Sequence, residues 1–191
     1  MQGMGSRQIR TLVCVACCAA LLLTAGCARA RNVPAQEPSS TAMPIDEKPV
    51  ERLPSSTPKQ AVTAYLAAVP EAYFSLETSI VAPYVTDEQE VREDAYIELN
   101  RQEGRALEMR MTAFAVLAAD EPSEAATSAV VRTNETWRWR YWSLAKRAPS
   151  TQWANTVYQV EYGLARSGTG WLVARTKVLS QSGDTTPAPL P

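Results

Sequence analysis

Two hydrophobic periods divide the chain. From Thr57 to Glu103 apolar residues recur at helical spacing, and beyond Gly104 they alternate with polar ones. Thr57-Pro58-Lys59-Gln60 reads as a helix start, with Thr57 as N-cap, Pro58 in the first turn and Gln60 completing a capping box. Ala61, Val62, Tyr65, Leu66 and Val69 form the apolar face of this helix. Pro70 is expected to end or kink it, with Glu71 to Ser79 continuing as a second piece that carries Ala72, Tyr73 and Leu76. Ile80 to Val85, which contains Pro83, reads as a linker or short turn. A second capping box, Thr86-Asp87-Glu88-Gln89, opens a charged helix predicted to run to about Glu103, with Gly104 as its left-handed stop. Val91, Ala95 and Leu99 are the stripe expected to pack.

After Gly104, Leu107, Met109, Met111, Ala113 and Ala115 are predicted to share one face of a first strand. A polar turn from Asp120 to Glu124 leads to a second strand, Ala126 to about Leu144. Alternation puts Val131, Thr133, Glu135, Trp137, Trp139 and Tyr141 on one face of that strand. Arg132, Asn134, Thr136, Arg138 and Arg140 fall on the other. After a loop from Ala145 to Thr151, the third strand runs from Trp153 to Arg166, with Tyr158, Val160, Tyr162 and Leu164 opposite in parity to Gln159, Glu161 and Gly163. Ser167-Gly168-Thr169-Gly170 is a tight hairpin connection, and Trp171 to Ser180 is the fourth strand. Helices followed by an antiparallel four-stranded meander mean an α+β fold, with the helices on one face of a curved sheet.

The segments flanking residues 57–180 have another character. Ala28 to Ser56 holds Pro34, Pro38, Pro44, Pro49 and Pro54 among serines, with few large apolar residues, and is expected to be an extended, disordered tether. Residues 181–191 (QSGDTTPAPLP) read as a disordered tail. At the start, Arg7 and Arg10 precede an uncharged run that ends in Leu23-Thr24-Ala25-Gly26-Cys27. Positive residues, a short apolar stretch and small residues before a cleavage point are the order of a secretory signal peptide. A cysteine directly behind that point resembles the lipobox of bacterial lipoproteins, in which the thiol is acylated and becomes the new N-terminus. The resemblance implies a signal over residues 1–26, lipid on Cys27 and a tether over 27–56. Thr24 stands where the family pattern usually has an aliphatic residue. An uncleaved anchor and a plain cleaved signal are the alternatives, because the uncharged run from Thr11 to Ala28 is 18 residues, the lower edge of a spanning helix. Ala28 is not the aspartate that resembles an inner-membrane retention signal, so the outer face of the cytoplasmic membrane and the outer membrane both fit.

Composition narrows the chemistry. The four cysteines are Cys14, Cys17, Cys18 and Cys27, so a chain processed before Cys27 and acylated there has no thiol for a disulfide or a metal. There is no histidine, which excludes Ser-His-Asp and Cys-His nucleophile systems, imidazole acid–base work and the usual zinc sites. No spacing resembles a calcium loop, and no cofactor or metal is expected. Loss of Arg7 and Arg10 leaves 17 basic residues against 20 acids, a net charge of −3, which argues against nucleic acid as a partner.

The most specific pattern lies in the last two strands: Tyr158-x-Val160-x-Tyr162-x-Leu164, then Arg166-x-Gly168-x-Gly170-Trp171-x-Val173, preceded by Glu135-Thr136-Trp137. It resembles the cone-shaped α+β domains of the nuclear transport factor 2-like superfamily, in particular the branch found in plastid-division proteins and in the inner-membrane subunit of the mitochondrial import motor. The resemblance covers about Gln60 to Ser180 and rests on structural motifs. Its members include enzymes, ligand carriers and protein-interaction modules, and those that use a His-Asp pair have no counterpart in a chain without histidine.

Glu135 is the leading candidate site residue, since its parity places a carboxylate among Trp137 and Trp139. With Tyr158 and Tyr162 these residues are expected to line the concavity of the sheet, for a protein partner or a small apolar ligand. If aromatic side chains fill that concavity, binding is expected on the outer face around Arg132, Arg138 and Arg140. The alternative is a proton-transfer enzyme that uses Glu135 or Glu161 with a tyrosine; an open cavity where one carboxylate and one tyrosine hydroxyl converge would favour it.

Overall fold

A computed structural model describes residues 50–190. The signal segment, Cys27 and most of the expected tether lie outside the described residues. Helix α1 spans Pro58–Ser75 and α2 spans Asp87–Gln102, joined by two short 3-10 turns, Thr78–Ile80 and Ala82–Tyr84. Five strands follow: β1 (Arg105–Ala119), β2 (Ser128–Ser143), β3 (Ala148–Pro149), β4 (Ala154–Ser167) and β5 (Gly170–Gly183). The sheet order is β1-β2-β4-β5 with every pair antiparallel, and the two-residue β3 pairs with Trp142 and Ser143 at the end of β2. The expected four-stranded meander is therefore a five-stranded sheet, the additional strand lying in the segment read as a loop. Both helices pack on one face of it.

Thr57 caps α1 as the sequence indicates, its hydroxyl accepting from the Gln60 amide at 3.2 Å. Pro70 neither ends nor splits the helix. It removes one backbone donor, but Tyr65, Leu66 and Val69 before it and Ala72 after it are all buried on the same face, so packing carries the helix through. Leu76, in the left-handed conformation, stops it.

The packing face of α2 is the main departure from expectation. Gln89, Glu93, Ile97 and Asn100 are its buried residues, whereas Val91 is 69% exposed, Leu99 47% exposed and Ala95 also faces solvent. Gln89 takes no part in a capping box; Thr86 is the N-cap residue, but its side chain makes no capping hydrogen bond. Gly104, at φ +67°, ends the helical region before β1, as its left-handed freedom permits.

β1 also departs from simple alternation. Met111 pairs with Trp137 but Ala113 pairs with Thr136, so Thr112 is an inserted residue. A one-residue insertion exchanges faces. Leu107, Met109 and Met111 keep the expected inner face, but beyond the bulge Phe114 and Val116 are paired with Glu135 and Thr133 on that face, and Ala113 and Ala115 turn outward.

The segments next to the domain are more ordered than their composition suggests. Ser55 exchanges backbone hydrogen bonds with Trp171 at 3.0 and 2.8 Å, which brings the chain so close to Gly170 that a Cβ there would meet Ser55 O at 2.7 Å. Arg52 bonds Asp87 and Glu90 at the start of α2. At the other end β5 continues through Gln181 to Gly183, and the backbone carbonyl of Asp184 accepts from the Thr156 hydroxyl at 2.6 Å.

Candidate functional site

The inner face of β2 builds the site by its two-residue period. Glu135 is 2% exposed. Its same-face neighbours two residues away both donate to it: Thr133 Oγ1 to Oε1 at 2.6 Å and Trp137 Nε1 to Oε2 at 2.8 Å. From β4, the Tyr162 hydroxyl donates to Oε1 at 2.7 Å. Three neutral donors thus hold this carboxylate, and among the described residues no lysine or arginine is bonded to it.

A second buried carboxylate sits across the helices. Glu93 of α2, 3% exposed, accepts at Oε1 from Tyr65 Oη and Gln89 Nε2, each at 2.7 Å, and at Oε2 from Tyr73 Oη at 2.5 Å. Tyr65 and Tyr73 are eight residues apart on α1, two turns along one face, and so clamp Glu93 from both sides. Gln89 spends its amide on this contact, and its buried Oε1 has no partner. The two clusters touch through Tyr65 and Tyr162, whose rings meet edge to face at 6.1 Å. Burial, reinforced by the adjacent carboxylates, pushes the hydroxyls of Tyr65, Tyr73 and Tyr162 well above the ordinary tyrosine range, so all three remain neutral donors at physiological pH.

Between helices and sheet lies a solvent-connected cavity of about 500 Å³. Its walls take Tyr65, Leu66, Val69 and Tyr73 from α1, Tyr96 from α2, and Leu107 and Met109 from β1. Glu135, Trp137, Trp139 and Tyr141 come from β2, and Tyr158, Val160 and Tyr162 from β4. Thr176, Val178 and Gln181 of β5, with Thr185 after it, complete the lining. Six of the seven tyrosines of the chain face this space. Trp139 is steered by a hydrogen bond from its Nε1 to Thr156 Oγ1 at 2.8 Å and by an edge contact with Tyr141 at 5.5 Å.

The structure therefore brings Glu135, Trp137, Trp139, Tyr158 and Tyr162 together on one cavity. The aromatic side chains line the concavity and do not fill it. Arg132, Arg138 and Arg140 lie on the opposite face and do not form one site. Arg132 pairs with Glu161 at 2.8 Å, holding that carboxyl below the usual carboxylate range. Arg138 and Arg140 stack on Trp153 at 4.8 and 4.4 Å, and Arg140 also donates to Glu108 at 2.7 Å. Glu161, considered above as a possible base, is thus bound to arginine on the face away from the cavity. Sequence reasoning missed Glu93, Gln89, Tyr73 and Thr133 as parts of the buried network. Strand parity already puts Thr133 on the Glu135 face; for Gln89 and Glu93 the only sequence signal is their helical spacing with Ile97, which hydropathy does not register. Among the described residues there is no cluster of acids suited to a metal ion.

No family model and no curated protein matches this sequence. Among solved structures, the intermembrane space region of the chloroplast protein ARC6 superposes with a TM-score of 0.53 at 17% identity, covering 68% of this chain and 98% of that one. The likeness shows the fold, helices against a curved antiparallel sheet. A ketosteroid isomerase-like protein from Erwinia carotovora atroseptica SCRI1043 matches with a TM-score of 0.41 at 23% identity, over 64% of this chain and 93% of that one. A periplasmic fragment of TraM matches with a TM-score of 0.42 at 11% identity, over 63% and 96%. Superpositions this loose carry no functional argument. No helix among the described residues is long and apolar enough to cross a membrane.

Proposed function

We propose that this chain is a lipoprotein of the cell envelope, anchored by acyl chains on Cys27, whose α+β domain binds a small molecule in the aromatic cavity. Acyl chains contribute about 0.8 kcal/mol per buried CH₂, so two or three anchor a domain without a spanning helix. The binding reading rests on one observation: an open space of about 500 Å³, within the size range of small-molecule sites, with an aromatic-rich lining and a hydrogen-bonded carboxylate and hydroxyl at Glu135 and Tyr162. A protein partner is the weaker form of the same idea, because the aromatic surface faces inward. The anchor is tested with Cys27→Ser, which is expected to abolish palmitate incorporation and release the chain from the membrane fraction; unchanged labelling would refute it. The cavity is tested by native mass spectrometry of the full chain, with a stoichiometric small-molecule adduct expected and lost on filling the space with Val160→Trp.

A second reading has its own support. One carboxylate and one tyrosine hydroxyl, 2.7 Å apart at an open cavity, are the pieces that proton transfer on a small substrate requires. Against it, the Tyr162 hydroxyl already spends its hydrogen bond on Glu135, and three donors occupy the carboxylate. The captured molecule decides between the two: recovered unchanged after prolonged incubation in deuterated water it is a ligand, whereas deuterium at a carbon position marks a substrate.

A further inference from the structure

The cavity wall has a one-sided electrical character. Glu135 brings a buried carboxylate to its lining, and Glu93 lies directly behind Tyr65 and Tyr73. Among the described residues neither acid is bonded to a cation: every hydrogen bond to them comes from a hydroxyl, an indole N–H or a primary amide. Among the described residues no lysine, arginine or histidine lines the space. Eight aromatic rings do, and the negative face of a ring's quadrupole attracts positive charge. The tyrosine hydroxyls stay neutral, so they add donors but no compensating positive charge. The guanidinium of Arg105 stacks over the Tyr141 ring at 3.8 Å and is itself paired with Glu103. Within the fold, then, one of the cavity's rings already holds a cation on its face.

Buried acids usually sit beside buried bases, because an unpaired charge in a low-dielectric interior is costly. Among the described residues the positive partner is missing, and aromatic rings share the lining with Glu135. Building on the reading of this cavity as a small-molecule site, we infer that its ligand is an organic cation: an apolar body bearing one ammonium group, quaternary or alkylated, seated between Trp139 and the tyrosine rings with its charge toward Glu135. An anion would meet the field of two carboxylates with no donor cation to offset it. A neutral apolar molecule would fill the volume and leave the field unused.

The test uses three probes with the same benzyl body on the full-length chain in one neutral-detergent medium: benzyltrimethylammonium, its uncharged carbon isostere neopentylbenzene, and benzylphosphonate. Quenching of tryptophan fluorescence reads binding, with protein-free medium as blank. The cation is expected to bind at least tenfold tighter than the neutral isostere, and the anion not to saturate. Glu135→Gln is expected to weaken the cation about tenfold while the neutral isostere stays within twofold. Trp139→Leu, which leaves the carboxylate network intact, is expected to weaken the cation several-fold and serves if the first variant fails to fold. Equal or tighter binding of the neutral isostere overturns the cation inference and leaves the cavity reading standing. So does a cation preference that survives both substitutions. Saturation by none of the three overturns both.

Discussion

Glu93 and Glu135 are the same residue under the same constraint, yet they end in different situations. Each is almost fully buried, each takes three hydrogen bonds from neutral donors, and each receives a tyrosine hydroxyl from a neighbouring element. Glu93 is enclosed by α1 and α2 and does not reach the cavity, whereas Glu135 lines it. Enclosure makes Glu93 a tie between two helices. Access makes Glu135 a group that can meet a ligand. Burial of an acid is therefore not in itself a sign of function; what separates the two is whether open space remains at the carboxylate.

The comparison is broken most severely by Glu93→Ala. It strips the acceptor from Tyr65, Tyr73 and Gln89 at once, and with about 1–3 kcal/mol for each buried group left unpaired the expected loss is about 4 kcal/mol in a urea or guanidinium titration. A loss under about 1 kcal/mol would mean the tie is dispensable.

High pH acts on both clusters together. Tyr65, Tyr73 and Tyr162 titrate well above the ordinary tyrosine value of about 10 in the folded state because burial opposes the phenolate. Below that value both states are protonated and stability is unaffected; above it only the unfolded chain releases protons, so stability falls as pH rises. Between pH 9 and 11 the three residues should together remove about 4 kcal/mol, as about 1.4 kcal/mol per tyrosine per pH unit implies. Tyr162→Phe should remove about a third of that slope, and a denaturation midpoint unchanged up to pH 11 would contradict the burial of all three hydroxyls.

Glu135→Gln is expected to cost less stability than Glu93→Ala, about 1–2 kcal/mol, because an amide keeps one acceptor oxygen but places its NH₂ against either the Trp137 N–H or the Thr133 and Tyr162 hydroxyls. Its larger effect should be on ligand capture. An unchanged ligand affinity with a large stability loss would make Glu135 a second Glu93. The smallest effects are expected on the outer stripe of α2: Val91→Ser and Leu99→Ser should stay within about 0.5 kcal/mol by thermal unfolding, against about 2–4 kcal/mol for Ile97→Ala on the buried face.

Much of this site is legible in the residue pattern, and the part that is not has a definite cause. The parity of β2 places Thr133, Glu135, Trp137, Trp139 and Tyr141 on one face, and the structure keeps them there. A strand has two faces, so a charged residue among aromatics must share their environment. A helix offers no such certainty. On α2 the apolar set Val91, Ala95 and Leu99 and the set Gln89, Glu93 and Ile97 both follow the helical period, and hydropathy chooses the first. The tyrosines of α1 supply acceptor-seeking hydroxyls at the interface, which makes the polar set the one that packs. That preference depends on two elements at once. The bulge at Thr112 is hidden for a similar reason, since it exists only as a mismatch between β1 and its partner.

The order of elements, the α+β class, the helix caps at Thr57 and Gly104 and the polarity of the β2 faces follow from the chain's own periodicity and local backbone preferences, because these act within a few neighbouring residues. The open cavity, the pairing of two acids with tyrosines from other elements, the exchange of faces past Thr112 and the return of the 181–185 segment to the cavity wall were decided by tertiary packing. Each depends on how much volume and how many hydrogen-bond partners a second element brings to the first, and no local pattern of residues encodes that quantity.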